Sequence, residues 1–286
     1  MANLKEIRNR ISSVSSTMQI TSAMKMVSAA KLKKAQDAIT AMRPYADKLT
    51  ELLQSLSATL DADSGSKYAT QREVNNVLIV AITSNRGLCG AFNSNIIKQT
   101  QNLISNVYAD KNVSVVAIGK KANDAFSKSG NVIANKSEVF DDLTFENVAE
   151  IAEMLMDKFV EGEFDKIELV YNKFKNAATQ IVMTEQFLPI VPVEEDANVN
   201  LDYIFEPSKI EIVEQLIPKS LKTQLLKGIR DSFASEHGAR MTAMHKATDN
   251  ATELRDQLKL TYNKARQAAI TNEILEIVGG AEALNN

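Results

Sequence analysis

Tryptophan is absent from this 286-residue chain, cysteine occurs once and histidine twice, and only five prolines and ten glycines interrupt it. A lone Cys89 excludes an internal disulfide and suits a reducing compartment; with His237 and His245 as the only histidines, a Cys/His zinc site lacks ligands. Apolar runs are short as well: residues 77–82 (VLIVAI) fall far below the roughly 18 that a spanning helix needs. No sign of charge dominates, since 33 Lys and Arg stand against 36 Asp and Glu, and a net charge of −3 advertises no general nucleic-acid surface. What remains, 44% hydrophobic and 24% charged, is the composition of a folded chain and excludes collagen and disorder.

The scarcity is not uniform. Residues 1–60 carry nine basic and four acidic side chains, residues 61–207 carry 13 and 22, and residues 208–286 carry 11 and 10. Thirteen of the sixteen aromatics fall in the middle zone, leaving Tyr45 before it and Phe233 and Tyr262 after it. Glycine is absent before Gly65, and no proline follows Pro218. A conventional core is therefore expected in the middle, with a long helix at each end. Residues 1–34 are basic, serine-rich and almost free of acids, a composition shared with organelle transit peptides. There is no apolar signal core, and the helical pattern assigns the segment to the folded chain.

That pattern is a heptad. Leu4, Ile7, Ile11, Val14 and Met18 step by 3 and 4, and after an offset Ala35, Ile39, Met42, Ala46, Leu49, Leu53, Leu56 and Leu60 do the same. Near the other end Met244, Ala247, Ala251, Leu254, Leu258, Thr261, Ala265 and Ala268 repeat it. Each seam suits one partner helix, and the two ends suit each other as an antiparallel coiled coil. Helices over 3–60 and 209–284 would run roughly 87 and 114 Å at about 1.5 Å per residue, longer than a compact domain, and would project from it. Shorter bundled helices, broken at Pro44, Gly228 or Gly238, are the alternative.

The middle zone reads as α/β. Residues 77–83, 113–118 and 167–171 have the continuous apolar character of buried strands; 93–108, 120–128 and 145–161 read as helices, so the sheet should be mostly parallel. Residues 180–190 add an edge strand, because Pro189 cannot donate to a ladder, and the acidic segment 193–200 is a surface loop. The expected boundaries are 1–62 for the first coil helix, 63–208 for the globular domain and 209–286 for the second coil helix.

Few residues point to catalysis. The first strand ends in TSNRGLCGAFN (83–93), a glycine-bearing turn before a helix, where α/β sheets bind phosphates. Neither GxGxxG nor GxxxxGK[ST] is present, so Arg86, Gly87, Cys89 and Gly90 read as turn and packing residues. Cys89 has no neighbouring base to activate it; the histidines lie eight apart on a helix, too far for joint ligation, and read as solvated or partner-facing. Asp141–Asp142 and Glu194–Glu195 read as solvated surface. No catalytic residue, metal site or cofactor site is specified. Apolar helix positions outside the seams, Ile20, Val27 and Ala30 near the start and Ile270, Ile274, Ile277 and Val278 near the end, exceed what one helix can cover, so another protein must cover them. The basic residues among them, Lys25, Lys31, Lys33, Lys34 and Arg266, suit a solvated basic face or an acidic protein surface equally, and either better than nucleic acid, which would want interleaved aromatics.

At these residues the chain resembles the gamma subunit of F-type ATP synthases. The resemblance rests on LKEIR (4–8), ITSAMKMVSAAKLKKAQ (20–36), TSNRGLCGAFN (83–93), SEHGARMTAMHKATDNA (235–251) and LTYNKARQAAITNEILEIVGGA (260–281), and weakens over 120–210. Asn85 stands where the family commonly has aspartate, and Gly238 where it commonly has alanine. The resemblance implies a coiled coil of the terminal helices plus a central Rossmann-like α/β domain. It also implies a non-catalytic rotor shaft that couples proton-driven rotation of a membrane c-ring to ATP synthesis in a ring of alpha and beta subunits, with epsilon as a further partner and no cofactor. By the same resemblance Arg266 and Gln267 meet an acidic catch loop, Met24, Lys25 and Arg240 face an acidic lever, Ile270, Ile274, Ile277 and Val278 sit in an apolar bearing, and Thr271 meets the ring subunits. A peripheral place on the cytoplasmic face of a bacterial inner membrane is expected. Two other classes fit the bare pattern: a coiled-coil adaptor, and a nucleotide-using enzyme with helical extensions.

Overall fold

The computed structural model describes residues 4–57, 67–190 and 209–284. Its two long helices, α1 (Leu4–Ser57) and α5 (Lys209–Leu284), are unbroken, passing through Pro44 and Pro218. The chain divides into two compact units, residues 29–240 and residues 1–28 with 241–286.

In the larger unit five strands form one sheet: β1 (Asn76–Ile82), β2 (Asn112–Ile118), β3 (Val132–Asn135), β4 (Lys166–Phe174) and β5 (Gln180–Leu188), in spatial order β3-β2-β1-β4-β5. The first four are parallel, and β5 pairs antiparallel with β4 as an edge. Both faces are covered, which is why the central strands read as unbroken apolar runs. On one face α2 (Phe92–Asn102), the π-helical turn that follows it and α3 (Lys120–Phe126) bury Ile96, Leu103, Ala122 and Phe126 against Val77, Ile79 and Val115. On the other, α4 (Phe145–Val160) packs Val148, Ile151, Leu155 and Phe159 on Leu78, Val80 and Leu169. Thr144 caps α4, its Oγ1 accepting from the Asn147 amide at 3.3 Å. The helix expected over 93–108 is helical over 92–107, its last five residues, 103–107, forming a π-helical turn. β3 was not expected: four residues, half of them exposed, carry too little periodicity to read.

The second half of α1 and the first half of α5 belong to this unit. Leu221, Leu225, Leu226 and Ile229 enter the α4-side core together with Met42 of α1. α5 is continuous through Gly228 and Gly238, the breaks that the bundled alternative required, and Gly238 lets it approach the sheet closely. A Cβ on Gly238 would lie 3.2 Å from the Ala177 Cα and 3.3 Å from the Phe174 ring.

In the smaller unit the ends of α1 and α5 run antiparallel in a fixed register. Arg8 donates to the Tyr262 hydroxyl at 2.8 Å; ten residues on along α1, and ten back along α5, Thr252 Oγ1 lies 3.3 Å from Met18 Sδ. Thr248 donates to Thr21 at 2.8 Å, and Lys25 Nζ lies 3.5 Å from His245 Nδ1. The α1 seam has no offset: Thr21, Lys25, Ser28 and Leu32 continue the 3, 4 phase, and Thr21, Ser28 and Leu32 are buried. Polar residues fit there because their hydroxyls turn onto their own helix, Ser28 to the Met24 carbonyl at 2.8 Å and Thr21 to that of Met18 at 3.1 Å. On α5 the expected seam residues Leu254 and Thr261 are exposed, and the half-buried Arg255 and Tyr262 stand in their places. Long amphipathic side chains cover apolar surface while keeping their polar ends wet. The acidic segment 193–200, with Glu194 and Glu195, lies outside the described residues.

Candidate functional site

The expected site residues fall into two groups, one in each unit. In the smaller unit the register fixes where pairing ends. Leu4, the first described residue of α1, falls opposite Arg266, and beyond it α5 has no described α1 residue to meet. Every described position from Arg266 to Ala281 is exposed. On this free helix Ile270, Ile274, Ile277 and Val278 are 46, 54, 66 and 56% exposed, and Leu275 joins them. At i, i+4, i+7 and i+8 they form one apolar face. Arg266 and Gln267 lie at its base, and Thr271 turns its hydroxyl to its own helix, donating to the Gln267 carbonyl at 2.9 Å. Further down the pair, Met24 and Lys25 are half-buried, with Ile20 and Val27 exposed beside them. Lys25 shares His245 with Asp249, whose carboxylate lies 3.3 Å from the ring.

In the larger unit the turn after β1 sits where the strand order reverses between β1 and β4, the position at which open α/β sheets hold ligands. Ser84 donates to the Arg86 carbonyl at 2.6 Å, and Asn93 reaches back to the Ser84 hydroxyl at 2.8 Å and to Cys89 Sγ at 3.1 Å. Cys89 is buried with Phe92 and Ala239, and burial pushes its thiol above the usual range, which disfavours the thiolate. Leu88 has φ +61° and is 64% exposed, and Gly90 has φ +59°. Asn85 bridges two neighbouring segments, its amide donating to the Ser137 carbonyl at 3.0 Å and its oxygen accepting from the Lys120 amide at 3.0 Å. Aspartate, with no N–H to give, could make only the second of these bonds.

The occupant of this turn is a side chain of α5. Arg240 donates to the Arg86 carbonyl at 2.9 Å and to that of Gly87 at 3.2 and 3.3 Å, and its remaining face holds Glu236 at 2.6 Å. The turn thus presents carbonyl oxygens to a cation, the reverse of the N–H cradle a phosphate needs. Burial pushes the Glu236 carboxyl up against the pull of Arg240, Lys31 and Arg86. His237, expected to be solvated or partner-facing, is buried against the edge of Phe233 with ring centroids 4.5 Å apart, and burial beside Arg240 and Lys31 pulls it down to about 4. His245 is exposed.

The structure therefore brings Arg86, Gly87, Cys89, Gly90 and Arg240 together in one unit, and Met24, Lys25, Arg266, Gln267, Thr271 and the four apolar residues in the other. Sequence reasoning missed Glu236 and Ser84. The signal for Glu236 was its i, i+4 spacing from Arg240. Among the described residues no cluster of His, Cys, Asp and Glu could hold a metal, and no helix is long and apolar enough to cross a membrane.

Comparison with known proteins adds the following. A sequence model of the ATP synthase family matches residues 3–284. The chain is 78% identical over 285 residues to the ATP synthase gamma chain of Flavobacterium psychrophilum, covering 99% of each. It is 76% identical over 286 residues to that of Flavobacterium johnsoniae, covering both in full. Among solved structures it resembles a chain of the Euglena gracilis mitochondrial ATP synthase rotor, with TM-score 0.66 and 22% identity over 93% of this chain and 98% of that one. It also resembles one of the Tetrahymena thermophila central stalk and c-ring, with TM-score 0.60 and 24% identity over 80% and 99%. At these identities the two structures speak for the fold.

Proposed function

The chain belongs to the ATP synthase gamma-chain family, and from that membership we propose that it is the central rotor shaft of a proton-translocating ATP synthase. It binds no substrate of its own. Its partners are the alpha and beta subunits of the catalytic ring, the epsilon subunit and the c-ring of the membrane sector, and it holds no cofactor. It associates peripherally with the membrane through that complex, on the cytoplasmic face of the bacterial inner membrane.

The observation that carries this reading is the end of the helix pair. A bare apolar helix of about 27 Å past Arg266 is stable in water only when other chains enclose it. A ring of alternating alpha and beta subunits around one asymmetric helix pair gives each of its identical catalytic subunits a different contact at any instant, so rotation biases their conformations in turn. In this scheme Ile270, Ile274, Ile277 and Val278 ride in an apolar bearing, while Arg266, Gln267 and Thr271 make hydrogen bonds to an acidic loop of the ring. Met24 and Lys25 present the face that meets an acidic lever of a catalytic subunit. Arg240, grouped with them by resemblance, spends its donors inside the chain. The nucleotide-enzyme alternative has no N–H cradle to stand on.

The test is reconstitution. Alpha and beta subunits mixed with this chain should give a complex whose ATP hydrolysis turns an attached bead. A ring that hydrolyses identically with and without the chain would sink the proposal.

A further inference from the structure

Turning force has to cross between α5 and the sheet, and α5 is seated on the sheet in two different ways. Up to Ile229 it interlocks by large side chains, Leu221, Leu225, Leu226 and Ile229. From Ser232 to Arg240 the buried apolar and hydroxyl side chains are small, Ser232, Ala234, Ser235 and Ala239, with Gly238 in near contact with Ala177 and Phe174, and the large buried side chains, Glu236, His237 and Arg240, are polar. Small residues allow close approach but leave few ridges to stop one surface sliding over the other. Hydrogen bonds take over in that stretch: Ser235 donates to the Asn172 carbonyl of β4 at 2.9 Å, and Arg240 grips the Arg86 and Gly87 carbonyls. Ser84 grips the Arg86 carbonyl from the other side, so the bond from α5 ends on the backbone that leaves β1, the central strand. Arg240 is itself braced, because Glu236, one turn back on α5, fixes the guanidinium plane.

We propose that the Glu236–Arg240 pair is a clamp that fixes the rotational setting of α5 against the β1–α2 turn and carries torque between that helix and the sheet. The proposal rests on the rotor reading above. Arg240 is a positioning residue here, acting through the turn and touching no nucleotide. A planar fork with several donors suits the task, since three separate nitrogens held in one plane meet two successive carbonyls and a carboxylate, whereas an ammonium offers a single nitrogen on a flexible stem. The same grip holds Leu88 in its left-handed conformation at the tip of the turn, a strain that needs support from its surroundings.

The experiment uses Arg240→Gln, Arg240→Lys and Glu236→Gln in the complete membrane complex, reading ATP hydrolysis and ATP-driven proton pumping on the same vesicles. The expected result for Arg240→Gln is hydrolysis within about twofold of the parent and pumping per ATP lowered several-fold. Arg240→Lys should fail to restore pumping, and Glu236→Gln should fall between. Hydrogen exchange on the free chain gives a second readout: amides of residues 86–92 should exchange faster in both Arg240 variants. Should Arg240→Gln fail to fold or assemble, the other two variants carry the same comparison. Pumping per ATP unchanged in all three, or a loss of pumping matched by an equal loss of assembled complex, overturns the clamp. Hydrolysis without pumping by the unsubstituted chain would overturn the rotor reading and the coupling role together, while the exchange result would still report on the clamp's grip.

Discussion

His237 shows how one side chain registers its surroundings. The Arg240 guanidinium, which only donates, lies 3.5 Å from Nδ1, so Nδ1 accepts and the proton sits on Nε2, a buried atom with no partner among the described residues. A second proton would place an imidazolium beside Arg240 in a buried site, and the ring is accordingly held down at about 4. Because the folded value lies below the ordinary 6.5, the unfolded chain binds the proton first as pH falls. The stabilising effect of a neutral His237 is complete above about 6.5 and is lost as pH falls through about 4, by roughly 3 kcal/mol. Glu236 works with the opposite sign, its raised carboxyl favouring the fold as pH falls. The check is therefore a comparison: between pH 6.5 and 4 the melting temperature of the parent chain should drop more steeply than that of His237→Gln. Parallel curves would mean the imidazole is solvated.

At the scale of elements, the two long helices are each stabilised along part of their length only. Ile229 is fully buried against the sheet, whereas Ile277, on the same α5, is 66% exposed. Ile229→Ala should cost about 2–5 kcal/mol of folding stability, and Ile277→Ala should stay within about 0.5 kcal/mol in the free chain, both read by denaturant unfolding. Equal losses would show that the end of α5 is packed in solution. Much of this was legible in the sequence. The heptads of α1 and α5 and the apolar runs of β1, β2 and β4 are signals of period and length, and they placed those elements within a few residues. What escaped detection did so for physical reasons. β3 is short and half-exposed; the polar seam residues Thr21 and Ser28 satisfy themselves on their own helix and look like surface; Arg255 and Tyr262 fill seam positions with long side chains whose polar ends make them read as surface. Of the candidate site, Arg86 to Gly90 were found by their glycines, but that Arg240 meets their carbonyls is a long-range contact that no local pattern encodes.

Across the whole molecule, aromatic scarcity turns out to be a division of labour. Apart from Tyr45, Phe233 and Tyr262, the aromatics fall in residues 61–207, where a sheet with helices on both faces needs bulk, and a helix pair that must be slim uses Ala, Leu, Ile and Met. The free end of α5 then separates stability from function. Its described side chains, as far as Ala281, are exposed throughout, so residues 275–281, with Leu275, Ile277 and Val278, contribute almost nothing to holding the chain folded. A chain ending at Ile274 should melt within about 2 °C of the parent, since surface changes away from special features are small. It keeps Arg266, Gln267, Thr271, Ile270 and Ile274, and with them the hydrogen-bonding base of the free helix and half of its apolar face, so assembly with the ring should survive. Lost are the contacts farthest along the helix, which in the rotor reading steady the shaft in its bearing while it turns against load. The expected outcome is a complex that assembles and hydrolyses ATP but makes less ATP per proton gradient and develops less torque on a bead. A truncated chain that synthesises ATP at the full coupled rate, or one that fails to assemble at all, would remove the bearing from the account of this helix.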